Sequence, residues 1–171
     1  YLQTDVYNAQ RYSPGYYTSP LGYSEYGVSE AFYNWLMLNP LDVRSKMVAN
    51  CMQAPESEPD YHVGYYPLKY PGNAGASVAV YTSNIRVVRL SEMYLIAAEA
   101  ALKEGEDAAG YINVLRENRI ENYVNVPTVT LDDILDERRK ELFAEGHAAF
   151  DCWRTGRAVV NGSFTIAPDD Y

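Results

Sequence analysis

The stretch "ERRKELFAEGHAAFDCWRTG", residues 137–156, decides the fold, because it sets charged side chains into an otherwise apolar helical pattern. Eight of its twenty residues are charged. Successive residues lie about 100° apart around a helix axis. On such a helix, one apolar stripe contains three residues just before this stretch and one within it: Leu131, Ile134, Leu135 and Leu142. Arg138 and Glu145 fall inside that stripe and Glu141 lies at its edge. The pattern therefore predicts a helix with inward-facing charges.

Inward-facing charges need partners, because burying an unpaired ion costs several kcal/mol. We expect Arg138 to pair with Glu141, three residues on, and either Arg154 or Arg89 to pair with Glu145. The column of Glu137, Glu141 and Glu145 could not be buried without such cations. The interpretation is a structural ion-pair network that fixes how helices dock, with these members: Arg89, Glu99, Glu137, Arg138, Glu141, Glu145 and Arg154.

The same glutamates also allow a catalytic interpretation. A glycoside hydrolase needs two carboxyl groups about 5 to 10 Å apart on either side of the scissile bond. Residues on one helical face meet that distance but are not opposed across a substrate. Nearby arginines would lower the pKa of both carboxyls, whereas a general acid needs a raised pKa. We therefore expect no catalytic residue here.

Two helices upstream are predicted to form a hairpin. The first, "RVVRLSEMYLIAAEAALKEG" at residues 86–105, has apolar residues all around its wheel, so we expect burial on both sides. One side carries Leu95, Ala98 and Leu102, and the other carries Met93, Ala97 and Ala100. The second, "DAAGYINVLRENR", is expected to point Tyr111, Ile112 and Leu115 inward. A short turn between them predicts an antiparallel, tetratricopeptide-like (TPR-like) hairpin, with no second copy in this chain at a period near 34 residues.

Capping residues bound the remaining helices. Ser29 opens "SEAFYNWLML", which stops before Asn39 and Pro40, and its Phe32 and Trp35 are expected in the core. Thr130, with Asp133 as a capping box, opens a helix up to Gly146, and a shorter helix follows to Gly156. The predicted fold is mostly α with long loops and short strands, in a loop- and tyrosine-rich segment (1–83), a helical segment (84–157) and an irregular tail (158–171).

The composition excludes several classes. At 171 residues the chain is long enough for one domain. Its net charge of −9, from 14 cations and 23 acids, argues against nucleic acid, because phosphate binding relies on clustered cations. No apolar run reaches the length of about 18 residues that predicts a transmembrane helix. With two histidines a metal site is not expected, and Cys51 and Cys152 are interpreted as buried free thiols in preference to a disulfide.

Four motifs resemble the SusD/RagB-like family. The stretch 137–156 is similar to its Glu-Arg-Arg, Glu-Leu, Glu-Gly, Phe-Asp, Arg-x-Gly series, and "RLSEMYLIAAEA" is similar to its Arg-Leu-x-Glu-x-Tyr-Leu-x-x-Ala-Glu-Ala helix. Asn113 and Arg116 resemble its Asn-x-x-Arg helix, and "DVR" at 42–44 resembles its Asp-x-Arg element. Cys152 stands where the family usually has Leu. The order of the motifs is specific, and the chain resembles the C-terminal third of a single SusD-like domain.

The resemblance implies a function and a location. Members are mostly α-helical lipoproteins on the bacterial cell surface, in the outer membrane, and they are not enzymes and need no cofactor. They capture nutrient, most often oligosaccharide, and deliver it to a SusC-like TonB-dependent transporter. Contact with the membrane would run only through an N-terminal lipid anchor that this chain lacks. The alternatives left open are a TPR-like scaffold that binds peptide or protein and, less favoured, a glycoside hydrolase.

Tyrosines are the candidate ligand contacts, because a sugar offers an apolar C–H face and a hydroxyl rim to an aromatic ring. The chain has 17 Tyr against 4 Phe and 2 Trp. The preferred cluster lies in the first loop-rich stretch: Tyr12, Tyr16, Tyr17, Tyr23 and Tyr26. A second cluster is Tyr61, Tyr65, Tyr66 and Tyr70. For both, packing of loops onto helices is the competing interpretation.

Overall fold

A computed structural model describes residues 27–52, 64–69, 88–161 and 164–167. Within these residues the chain forms five α-helices and two short two-stranded sheets, so the predicted mostly α fold is confirmed. The helices are α1 (Glu30–Met37), α2 (Leu90–Glu104), α3 (Ala108–Glu117), α4 (Leu131–Glu141) and α5 (His147–Thr155). The strands are β1 (Val48–Cys51), β2 (Gly64–Pro67), β3 (Val159–Asn161) and β4 (Phe164–Ile166). A 3-10 helix, Val43–Met47, precedes β1.

The chain divides into two compact units that interleave in sequence. The first unit contains Tyr1–Leu38 and Ser45–Val87, and the second contains Asn39–Arg44 and Val88–Tyr171. The short segment 39–44 therefore belongs with helices that follow it by more than forty residues. The prediction that the chain is part of one larger domain stays a prediction.

The first unit contains α1 and the antiparallel pair β1–β2. The Ser29 hydroxyl accepts a hydrogen bond from the Phe32 backbone N–H at 3.3 Å, and α1 ends before Asn39, as predicted. Phe32 and Leu36 are buried, whereas Trp35 is half-buried. In the sheet, Ala49 lies opposite Tyr66 and Asn50 opposite Tyr65.

The second unit is built on the predicted hairpin of α2 and α3. Gly105 ends α2 in the left-handed conformation, with φ of 73°, which a residue without Cβ adopts readily. Asp107 caps α3 by accepting a hydrogen bond from the Gly110 N–H at 3.0 Å. Only residues 105–107 separate the two helices, and α2 packs against both α3 and α4. The hydrophobic core of the second unit contains ten residues: Leu95, Ala98, Ala101, Ala108, Ala109, Ile112, Leu115, Val129, Ile134 and Leu142.

Two expectations about helix faces were wrong. Met93 and Ile96 are 42% and 48% exposed, so α2 is buried on one side only. Helix α3 directs Ala108, Ile112 and Leu115 into the core. Tyr111 therefore faces outward and is 41% exposed. The Tyr111 ring meets Tyr94 edge to face instead, with centroids 6.4 Å apart.

Helix α4 begins where predicted and ends earlier. Thr130 and Asp133 form the capping box, but the helix stops at Glu141 and not at Gly146. The Glu141 carbonyl accepts a hydrogen bond from Arg89 Nη1 at 2.9 Å, and the Glu145 N–H donates to the Leu142 carbonyl at 3.1 Å. Ala144 adopts the left-handed conformation, with φ of 59°, so the helix cannot continue, and Arg89 supplies a donor for the Glu141 carbonyl at its end.

The end of the chain carries more structure than expected. Helix α5 stops at Gly156, whose φ is 65°, as predicted. The tail, expected to be irregular, instead contains the antiparallel pair β3–β4, with Val159 opposite Ile166. Cys152 is a free cysteine and is half-buried, where burial was expected.

Candidate functional site

Glu137 on α4 is, among the described residues of the second unit, the most deeply buried acid, at 1% exposure. Two arginines hold it. Arg44 Nη1 donates to Oε1 at 2.5 Å, and Arg116 Nε donates to Oε2 at 2.7 Å. Both carboxylate oxygens are thus bound to a cation, which compensates for the lost hydration of the charge.

Arg44 links the segment 39–44 to α4. The Asp42 carboxylate binds the other edge of the Arg44 guanidinium group, accepting from Nη2 at 2.7 Å and from Nε at 2.9 Å. Burial alone would lower the pKa of Arg44, but the hydrogen bond to Asp42 and the charges of Glu137 and Asp42 raise the pKa above its ordinary value. The backbone adds two bonds, from the Val43 N–H to the Arg119 carbonyl at 2.8 Å and from the Glu121 N–H to the Leu41 carbonyl at 3.0 Å.

Glu141 is the second buried acid and collects three arginines. Arg119 donates from Nη2 to Oε1 at 2.9 Å and from Nε to Oε2 at 3.0 Å. Arg89 Nη2 lies 2.7 Å from Oε1, and Arg44 Nη1 lies 3.4 Å from Oε2. Burial would raise the pKa of Glu141, but the hydrogen bonds from Arg119 and the three positive charges lower it to about 2. Glu141 is therefore an anion at neutral pH.

Arg89 contacts two acids of the network, Glu141 and Glu145, and the C-terminal end of α4. Its Nη1 lies 2.5 Å from Glu145 Oε1, which is one of the two partners expected for Glu145. The same Nη1 donates to the Glu141 carbonyl at the end of α4. A cation at a helix C-terminus is favourable in its own right.

A second group of ion pairs joins α5 to α2 and α4. Arg138 Nε lies 2.9 Å from Asp151 Oδ2, so Arg138 pairs with an acid of the next helix and not with Glu141. Arg154 lies 2.5 Å from Glu99 and 2.7 Å from Asp151, and not at Glu145. Glu141 is already held by arginines from outside α4, which explains why it does not pair with Arg138 as expected, whereas Glu145 pairs with Arg89, one of its two expected partners.

The expected network omitted several of its members. Asp42, Arg44, Arg116, Arg119 and Asp151 contribute bonds, and all five lie in the sequence stretches quoted above, although none was expected in the network. In the described part of the chain, the ion pairs around Glu137 and Glu141 join acids to arginines. The four acids are Asp42, Glu137, Glu141 and Glu145, and the four cations are Arg44, Arg89, Arg116 and Arg119. Such a set can fix the docking of helices, and it holds Glu141 in the charged form.

The predicted ligand tyrosines are only partly described. Tyr12, Tyr16, Tyr17, Tyr23 and Tyr26 lie outside the described residues, as do Tyr61 and Tyr70. Of the second cluster, Tyr66 is 5% exposed and belongs to the core of the first unit. Tyr65 is half-buried and stacks on Tyr33 of α1, with ring centroids 4.4 Å apart and planes inclined by 22°. Tyr65 is thus the described candidate that keeps partial access to solvent.

Residues 46–170 match the model of the SusD family. The matched span covers the first unit from the end of the 3-10 helix onward, together with the hairpin, α4 and α5. The chain belongs to the SusD family.

Members of the SusD family with known names or structures resemble this chain over part of their length. The starch-binding protein SusD of Bacteroides thetaiotaomicron is 39% identical over 79 residues, covering 46% of this chain and 14% of that protein. A SusD superfamily structure from Bacteroides vulgatus has a TM-score of 0.72 at 32% identity and covers 93% of this chain. Another from Bacteroides thetaiotaomicron has a TM-score of 0.68 at 37% identity and covers 83%. This SusD-family chain spans 37% and 35% of those two structures.

Two further properties of the SusD-family chain concern its described part alone. Its His, Cys, Asp and Glu residues there form no group of three or more that could hold a metal ion. In the same residues, every helix is too short or too polar to traverse a bilayer.

Proposed function

We propose that this chain is the glycan-binding portion of a SusD-family protein that captures oligosaccharide at the bacterial cell surface. The observation that carries the proposal is the family match over residues 46–170, together with a relative named as starch-binding at 39% identity. The proposed protein then passes its ligand to a SusC-like TonB-dependent transporter of the outer membrane, and a lipid anchor in an N-terminal part holds it there.

The buried acids support binding without hydrolysis. A glycosidase acid must keep its proton near neutral pH, which needs a raised pKa. Glu141 has a pKa of about 2, and Glu137 gives both oxygens to arginines. In the proposed function these acids therefore hold the scaffold and do not touch substrate.

A ligand panel tests the proposal. The purified chain is titrated by isothermal calorimetry with neutral and acidic oligosaccharides and, separately, with a random peptide library on an array. We expect weak binding to at least one oligosaccharide and none that exceeds background on the peptide array. Chromatography of the same oligosaccharides after overnight incubation should show no shorter products. Binding confined to peptides would favour the TPR-like scaffold, and shortened glycans would favour a hydrolase; either result contradicts the proposal.

The transporter partner needs its own test. This chain is substituted for the matching part of a full-length, lipidated SusD-family relative. The resulting protein is expressed in a Bacteroides host and purified from detergent-solubilised outer membranes. We expect a TonB-dependent receptor in stoichiometric amount, identified by mass spectrometry. Recovery of the protein from the outer membrane without any such receptor would contradict delivery to a transporter.

A further inference from the structure

The stacked pair of Tyr33 and Tyr65 is held rigidly within the first unit. Tyr65 lies in β2, between β1 on one side and a bridge to Val28 on the other, where the Val28 N–H donates to the Tyr65 carbonyl at 2.7 Å. Side chains alternate along a strand, so buried Tyr66 points to one face of the sheet and Tyr65 to the opposite face. A ligand that stacks on Tyr65 meets a ring whose position is already fixed, which lowers the entropy lost on binding.

Two polar side chains flank the stacked rings. Glu30 is exposed and lies three residues before Tyr33 on α1, so both are on the same side of the helix. Desolvation and the charge of Glu30 raise the pKa of the Tyr65 hydroxyl, which places the Glu30 carboxylate within electrostatic reach of that hydroxyl.

Asn50 completes the group from the neighbouring strand. It is paired directly opposite Tyr65 across the antiparallel sheet, so the two side chains share a face. Asn50 is exposed, and its Oδ1 accepts from the Met52 N–H at 3.1 Å. That bond fixes the carboxamide and keeps its NH₂ group as a hydrogen-bond donor.

This combination matches the surface of a pyranose ring. The sugar offers an apolar C–H face to an aromatic ring, and its hydroxyl groups both donate and accept. A carboxylate accepts, an amide NH₂ donates, and the phenol of Tyr65 does both. We infer that Glu30, Tyr33, Asn50 and Tyr65 form a sugar-binding shelf, named here the Tyr65 shelf, which takes a neutral pyranose. The inference rests on the proposed function and assigns a site to it.

Charge selects the class of sugar. The Glu30 carboxylate acts electrostatically on the Tyr65 hydroxyl, raising its pKa, and the whole chain carries a net charge of −9. A uronate or a sulfated sugar would bring a second negative charge to the shelf, and like charges at close range repel. The Tyr65 shelf therefore prefers neutral hexose or pentose units over acidic ones.

The test compares neutral with acidic probes on the full chain. Maltohexaose, cellohexaose, mannohexaose and xylohexaose are the neutral probes, and hexagalacturonic acid is the acidic probe, all measured by calorimetry at low salt. We expect at least one neutral probe to bind more tightly than the acidic one. Tyr65→Ala should weaken the tightest neutral probe by about tenfold or more, which corresponds to about 1.4 kcal/mol. Glu30→Gln should narrow the preference for neutral over acidic probe.

Matched variants separate ligand contact from packing. Tyr111→Ala removes a half-exposed tyrosine of the second unit and should leave the affinity for the probes unchanged. Glu117→Gln neutralises an exposed acid of the second unit and should also leave that affinity unchanged. Should Tyr65→Ala fail to fold, judged by its melting curve, Glu30→Gln and Asn50→Ala decide, because both residues are exposed and each should weaken neutral-probe binding severalfold.

The outcomes distinguish the site from the function. Neutral probes that bind Tyr65→Ala, Asn50→Ala and the unchanged chain equally would overturn the Tyr65 shelf and leave glycan capture standing. An unchanged chain that binds no probe in the panel, while binding peptide, would overturn both. Tighter binding of hexagalacturonic acid than of every neutral probe would overturn the assignment of sugar class.

Discussion

Arg44 and Glu137 are separated by 93 positions in the sequence, yet their side chains meet at 2.5 Å with both almost fully buried. This contact fixes the segment 39–44 to α4 within the second unit. A buried pair of this kind can often be replaced as a whole by apolar residues at little cost, but removing one member leaves an uncompensated charge.

Glu141→Gln should lower the free energy of unfolding by about 3 to 5 kcal/mol, because three arginines would lose their shared carboxylate. Chemical denaturation at pH 7 measures the change. Glu117→Gln, at an exposed acid of α3, is the control and should change stability by less than about 0.5 kcal/mol. Equal stabilities for the unchanged chain and Glu141→Gln would show that the network does not support the fold.

Acid should weaken the second unit through the same residue. The pKa of Glu141 is about 2 in the folded chain against an ordinary value of 4.5. A depressed folded pKa stabilises the protein fully above 4.5, and this contribution is lost as the pH falls from 4.5 toward 2, because the unfolded chain takes up the proton first. Denaturation curves at pH 7, 5, 4 and 3 should bring Glu141→Gln and the unchanged chain closer together at the lowest pH. A constant gap between the two would contradict the depressed pKa.

Thr130→Ala should cost about 1 kcal/mol, because it removes the hydroxyl that accepts from the Asp133 N–H at 3.2 Å and donates to its carboxylate at 2.6 Å. Thr130→Ser keeps both bonds and should restore most of the lost stability. Thr128→Ala, at an exposed threonine outside the helix, is the matched control. A loss of similar size at position 128 would mean that the capping box has no special effect.

Asn113→Ala should loosen the connection between α3 and α4. The Asn113 side chain donates to the Val126 carbonyl at 2.9 Å and accepts from the Val126 N–H at 3.0 Å and from the Tyr123 hydroxyl at 2.9 Å. Loss of three bonds at about 0.5 to 1.5 kcal/mol each should speed amide exchange at Val126 by at least about tenfold. Hydrogen exchange followed by mass spectrometry measures this, with Asn125→Ala as the exposed control. Unchanged exchange would show that the loop is held by other contacts.

Features that depend on neighbouring residues could be predicted from the sequence. The start of α1 at Ser29, the capping box at Thr130 and the end of α5 at Gly156 are set within one turn of helix, so local chemistry suffices. The short turn between α2 and α3 likewise predicts the hairpin. The tail strands have a local signal too, because the two residues between the paired Asn161 and Phe164 are Gly162 and Ser163, a dipeptide typical of two-residue hairpins.

Features that depend on distant residues could not be predicted in the same way. The wheel placed charges on the inner face of α4, but it cannot say that Arg44 reaches Glu137 or that Arg154 reaches Glu99, 55 positions away. Likewise, the Glu141 carbonyl at the end of α4 accepts from Arg89, 52 positions earlier in the chain. The choice of partner is a tertiary property, and the motif residues Asp42, Arg44 and Arg116 acquire their role only once the fold is known.

The distance in sequence between Arg44 and its partner acids also determines when their contacts can form during translation. A ribosome that adds about 5 to 20 residues per second needs roughly 5 to 20 s to reach Glu137 after Arg44 has been made. Pairings so remote along the chain also slow the search for the native state. The first part of the second unit must therefore wait, incompletely assembled, until Glu137 has emerged, and nascent chains stalled before α4 should remain sensitive to protease.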